Sequence, residues 1–142
     1  MRIERGTAVS TRDRGDGLNP VSGAGPLREK PTVLVVDDEA GPRDALRFIL
    51  SPFFTIRAAE DARTAMQVLH EQPIDLITLD QNMPGCHGMD LLRKIMHDCP
   101  NVEVIMVTGN GTLASAIEST RYGAAGYLLK PFNIPELLTL MN

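Results

Sequence analysis

Apolar residues fall along this chain in two unlike regimes. Up to about position 31 they are sparse, and Gly6, Gly15, Gly17, Gly23 and Gly25 alternate with Pro20, Pro26 and Pro31. Such a stretch cannot bury enough surface to offset its ordering entropy, so residues 1–31 are expected to be a disordered N-terminal tail. At Thr32 the pattern changes. Thr32-Val33-Leu34-Val35-Val36 is a continuous, β-branched apolar run closed by Asp37-Asp38-Glu39, the signature of a strand buried on both faces. Ala45, Leu46, Ile49 and Leu50 then recur at helical spacing, with Pro42 in a tolerated early position and Pro52 ending the segment. Further strands are predicted over 54–58, 74–79, 102–107 and 126–129. Helical spacing fills the gaps, through Ala62, Ala65, Met66 and Leu69, then Leu91, Leu92 and Ile95, then Leu113, Ala116 and Ile117.

Strand and helix therefore alternate through the chain, which predicts right-handed crossovers and an α/β fold, a doubly wound five-stranded parallel sheet covered on both faces. In such sheets ligands bind beyond the carboxyl ends of the strands, so the residues closing each apolar run are the ones to interrogate.

Composition adds exclusions. The 142 residues carry 43% hydrophobic and 23% charged side chains, the balance of one globular domain. The formal charge of −4 argues against a nucleic-acid grip built on general positive charge. The charge is uneven, with six basic and four acidic residues in 1–31 against eight basic and fourteen acidic in 32–142. Cys86 and Cys99 are the only cysteines, too few for a disulfide framework, and a reducing cytoplasm is the expected compartment. They lie near His87 and His97, but around a predicted helix rather than in paired loops, so no zinc site is expected. No apolar run approaches the length of a membrane span, and the charged N-terminus lacks the apolar core of a signal peptide.

The predicted strand ends carry chemistry. The first closes on Asp37 and Asp38, the third on Asp80, the fourth on Thr108 and the fifth on Lys130-Pro131. Three crowded carboxylates repel one another unless a cation neutralises them, and a hard divalent ion such as Mg²⁺ suits two or three protein oxygens completed by phosphate. A lysine and a threonine add donors for phosphoryl oxygens, and a carboxylate beside a metal can act as a nucleophile in phosphoryl transfer. Each residue alone has a plainer reading: aspartates cap helices, Asp before Met83-Pro84-Gly85 favours a turn, Thr108 can close a strand, and Lys130 can be solvated. Their joint occurrence favours the chemical one.

The four segments Val33-Leu34-Val35-Val36-Asp37-Asp38-Glu39, Asp80-Gln81-Asn82-Met83-Pro84 with Gly85 and Gly88, Val107-Thr108-Gly109, and Gly123-Ala124-Ala125-Gly126-Tyr127-Leu128-Leu129-Lys130-Pro131-Phe132 together resemble the receiver domain of bacterial two-component response regulators, over residues 32–142. The resemblance implies a flavodoxin-like strand order 2-1-3-4-5. It implies that Asp80 accepts a phosphoryl group from the phosphohistidine of a sensor histidine kinase or phosphotransfer protein. Asp37, Asp38, Asp80 and the Asn82 carbonyl would hold Mg²⁺, while Lys130 and Thr108 would contact the phosphoryl group. Thr108 and Tyr127 would form the switch, with the ring rotating inward, and Asn82 and Asn110 would tune the lifetime of the phosphorylated state. A cis peptide between Lys130 and Pro131 is implied as well.

By the same resemblance the chain is not an enzyme beyond self-phosphorylation and slow autodephosphorylation. Its partners would be the kinase, an output domain beyond Asn142 or a separate protein, and a second copy in a phosphorylation-dependent homodimer, with no direct nucleic-acid or membrane contact. The run from Pro135 to Met141 begins a helix of only about two turns, which predicts a truncated last helix and a fragment of a longer protein. Competing classes are an aspartate-nucleophile phosphatase and an unphosphorylated interaction module of the same fold. Phosphatases of the haloacid dehalogenase type place two acids one residue apart after the first strand, whereas Asp37 and Asp38 are adjacent and Asn82 stands two positions after Asp80. A flavin-binding protein is disfavoured because no Ser/Thr-rich phosphate loop follows the first strand.

Overall fold

The computed structural model describes residues 30–83 and 85–141. The expected tail, but for its last two residues, lies outside them. Strand β1 (Thr32–Val36) leads to helix α1 (Ala40–Leu50), β2 (Thr55–Ala59), α2 (Ala62–Glu71) and β3 (Leu76–Asp80). Two very short strands, β4 (Asn82–Met83) and β5 (Cys86–His87), precede α3 (Gly88–Asp98), and β6 (Glu103–Thr108), α4 (Leu113–Arg121), β7 (Gly126–Leu129) and α5 (Ile134–Met141) complete the chain.

The main sheet is five-stranded and all its pairings are parallel, in the order β2-β1-β3-β6-β7. This is the predicted 2-1-3-4-5 order, with the β4–β5 pair interposed as a separate antiparallel ladder. Strand periodicity divides the core in two. Leu34, Val36, Ile77, Leu79, Val104 and Met106 point to the face covered by α2 and α3, joining Ala65, Met66, Leu69, Met89, Leu92 and Ile95. Their alternates Val33, Val35, Leu76, Ile105 and Val107 point to the face of α1 and α5, with Leu46, Leu50, Leu137 and Met141. The three central strands are thus apolar on both sides, which is why they read as continuous runs. Met83, Met89 and Met106 are buried and Met96 packs at the margin of the core. Helix α4 is the exception to this dense packing, with Ser119 its one buried residue.

Helix starts follow local chemistry. The Asp61 carboxylate accepts from the Thr64 amide at 2.8 Å, and Thr112 and Ser115 form a reciprocal capping box at the head of α4. The predicted strands over 54–58, 74–79 and 102–107 begin or end one or two residues away from their observed bounds. The larger departure is the β4–β5 pair, where only a turn was expected.

Candidate functional site

Register brings the chemistry together. Val36 lies opposite Leu79, and Asp80 lies opposite Val107. The next residues of the outer two strands, Asp37 and Thr108, therefore flank Asp80. Thr108 in turn lies opposite Leu129, and the Lys130 amide donates to the Thr108 carbonyl at 2.8 Å, which carries the lysine to the same edge. The Lys130–Pro131 peptide is cis, as expected.

Asp37, Asp38 and Asp80 each present a carboxylate oxygen, and these oxygens all lie within 4.8 Å of one another. Asp37 and Asp80 are buried, and Asp38 is the more exposed member. The Lys130 ammonium pairs with Asp37 Oδ2 at 3.1 Å rather than with Asp80. Asp37 Oδ1 accepts from the Glu39 amide at 3.0 Å, and Arg43 donates to the Asp37 carbonyl at 2.9 Å. The capping reading of these acids fails, because the N-cap of α1 is Glu39 and it makes no side-chain capping bond.

Asp80 has matching local geometry, its Oδ1 accepting from the Asn82 amide at 3.1 Å. Burial pushes the Asp80 carboxyl above its ordinary range. The Asn82 amide and the Lys130 charge pull it back, while Asp37 and Asp38 push it up further. The Thr108 hydroxyl accepts from Asn82 Nδ2 at 2.9 Å and from the Asn110 amide at 3.1 Å. Tyr127 is half buried, with its hydroxyl bonded to Gln81 and Ser115.

Sequence reasoning missed the support behind these groups. A Cβ on Gly88 would lie 2.5 Å from Gln81 Cα, so only glycine lets α3 start against the segment after Asp80, where its amide donates to the Gln81 carbonyl at 3.0 Å. Gly85, at φ +73°, takes the left-handed turn between β4 and β5. The glycines at 85 and 88 were the available signal. Gly111 stands where a side chain would meet Tyr127. An apolar groove of about 270 Å³ lies on the α1 side of Lys130, lined by residues including Leu46, Ile49, Pro131 and Phe132.

Residues 33–142 match the sequence model of the response regulator receiver domain. The chain belongs to that family. Receiver domains are the signalling modules of two-component systems, and response regulators work with histidine kinases and output domains. The chain is 36% identical over 104 residues to the chemotaxis protein CheY of Pseudomonas aeruginosa, covering 70% of this chain and 84% of that one. It is 37% identical over 110 residues to the response regulator protein FleR of the same organism, covering 77% of this chain but 23% of FleR. Among solved structures, a response regulator receiver protein from Pseudomonas putida superposes with a TM-score of 0.75 at 34% identity, covering 80% of this chain and 97% of that one. Among the described residues no helix is long and apolar enough to cross a membrane.

Proposed function

We propose that residues 32–142 form a phosphoacceptor receiver domain in which Asp80 takes a phosphoryl group from a phosphohistidine of a sensor histidine kinase or phosphotransfer protein. The supporting observation is the convergence of three carboxylate oxygens within 4.8 Å at one sheet edge, with Lys130 on Asp37. The donor set fits Mg²⁺: it is all hard oxygen and offers few enough ligands to leave room for water and phosphoryl oxygens. Asp37, Asp38, Asp80 and the Asn82 carbonyl would hold the ion, which when bound neutralises charge on the acids and on the transferring group.

The Asn82 amide holds Asp80 Oδ1 and orients the carboxylate, leaving Oδ2 as the attacking oxygen. The bond from phosphorus to the donor's imidazole nitrogen breaks as the bond to the carboxylate oxygen forms, and the electron pair returns to the imidazole. Lys130 exchanges Asp37 for a phosphoryl oxygen, and the Thr108 hydroxyl leaves Asn82 to donate to another. Asn82 and Asn110, both at the mouth of the site, set the access of the water that later hydrolyses the acyl phosphate. Thr108 carries the change outward past the Tyr127 ring, to an output domain, a partner protein or a second copy in a phosphorylation-dependent homodimer. The domain would act in the cytoplasm without touching nucleic acid itself.

Incubation with a small phosphodonor and Mg²⁺, followed by intact-mass measurement, tests this reading. One phosphoryl adduct is expected in the parent chain and none in Asp80→Asn. An adduct that persists in Asp80→Asn, or its absence from the parent, overturns the assignment.

A further inference from the structure

One phenol joins three segments that are distant in sequence. The Tyr127 hydroxyl donates to Gln81 Oε1 at 3.0 Å and lies 2.6 Å from Ser115 Oγ. Ser115 Oγ also accepts from the Thr112 amide at 3.0 Å. Each hydroxyl has one proton to give, and an amide oxygen has none. With the phenol proton committed to Gln81, Ser115 donates to the phenol oxygen. The bonds then run in one direction, from the Thr112 amide through Ser115 and Tyr127 to Gln81. Such chains polarise and strengthen their members. The Ser115 proton has a rival acceptor in the Thr112 carbonyl at 3.0 Å, so the phenol competes with the first turn of α4 for it.

Space is the second condition. A Cβ on Gly111 would run into the Tyr127 hydroxyl and stand 2.9 Å from both Leu129 Cδ2 and Thr108 Cγ2. Gly111 is not among the glycines with positive φ, which are Gly85 and Gly123 among the described residues. No left-handed backbone calls for glycine there, so what the position supplies is volume for the hydroxyl.

We propose that Gly111, Gln81 and Ser115 preset the Tyr127 switch: the glycine leaves room for the hydroxyl, and the two polar side chains latch it inward before any phosphoryl group arrives, tying α4 to the residue beside Asp80. They are positioning residues, acting through the ring. The regulatory meaning rests on the receiver reading of Asp80, whereas the latch itself belongs to the unphosphorylated chain. In a two-state switch, a ring already held inward leaves the phosphoryl group little ring population to shift.

The chain has two tyrosines and no tryptophan, so Tyr122→Phe leaves Tyr127 as the only tyrosine emitter. The phenylalanine keeps the ring that stacks 4.9 Å beneath the Arg93 guanidinium. Acrylamide quenching of tyrosine fluorescence in this background reads the exposure of Tyr127, with far-UV circular dichroism to establish folding. Gly111→Ala and Gln81→Leu are each expected to raise the quenching constant by about twofold or more, while phosphorylation of the background chain changes it by less than about a third. If either variant loses its fold, Ser115→Ala replaces it, with the same rise expected. Constants within about a fifth of the background value in the folded variants overturn the latch, as does a fall of about twofold or more when the background chain is phosphorylated. The variant comparison needs no phosphodonor, and intact mass reports the adduct separately, so failure of the receiver reading shows as a missing adduct with the quenching pattern intact.

Discussion

Replacing Asp80 by asparagine should make the metal-free chain more stable, even though it removes the proposed reactive group. The three carboxylates lie within 4.8 Å of one another. At an effective dielectric of about 20, two unit charges at that outer limit repel by about 3.5 kcal/mol. Asp80 faces two such neighbours, and the Lys130 ammonium, 3.1 Å from Asp37, offsets roughly one of them. Asparagine keeps an oxygen to accept from the Asn82 amide. Allowing for partial solvation through the more exposed Asp38, the expected gain is about 1–3 kcal/mol near pH 7.

The pH dependence has a definite sign. Burial first, then Asp37 and Asp38, raise the folded-state pKa of Asp80 above its unfolded value, so the folded state binds this proton more tightly. The corresponding stability is fully present below about pH 4 and is lost as pH rises through the raised value. The asparagine variant has no such loss, so the two stability curves should converge in acid and separate toward neutrality. Urea melts in EDTA across this range, repeated with Mg²⁺, provide the measurement. Mg²⁺ should stabilise the parent more than the variant, because binding to the folded state adds in proportion to its saturation. Equal or lower stability of Asp80→Asn in EDTA near pH 7, with unchanged slope, would refute the reasoning. An advantage undiminished in acid would do so too.

Three further outcomes are expected. Gly88→Ala should cost about 1–3 kcal/mol in chemical denaturation, because its Cβ would press on the Gln81 backbone, which has little freedom to yield. Leu92→Ala should cost about 2–5 kcal/mol by the same measurement, since Leu92 is fully buried between α3 and the sheet. Charged substitutions at Asn82 or Asn110 should change the dephosphorylation rate by more than about twofold, followed by intact mass over time, while Mg²⁺ affinity stays near that of the parent.

The parallel sheet was legible because burial on both faces leaves few polar interruptions in Thr32–Val36 or Val104–Val107, and the acids closing such runs stand out against them. The site residues were legible for the same reason: strand ends in register place Asp37, Asp80 and Thr108 side by side. What escaped were interactions set by tertiary approach. The β4–β5 pair is too short to have a period, and Gly88 and Gly111 owe their identity to Gln81 and Tyr127, which are far from them in structure-forming pattern. The partner of Lys130 also escaped, because charge alone does not say which of three acids a lysine will meet. In this structure it is Asp37.

The sparse burial along α4 has a consequence for how a signal leaves the domain. Helix α3 sinks Met89, Leu91, Leu92 and Ile95 into the core, whereas α4 buries only Ser119 and leaves Leu113 and Ile117 in solvent, at 78% and 53% exposure. Local opening costs least where little apolar surface must be uncovered, so α4 amides should exchange with solvent far faster than those of α3 while the sheet stays closed. A helix so lightly held can report through the fraction of time it is formed as readily as through where it sits. Its opening free energy then becomes the adjustable quantity, and small polar contacts at its first turn are enough to set it.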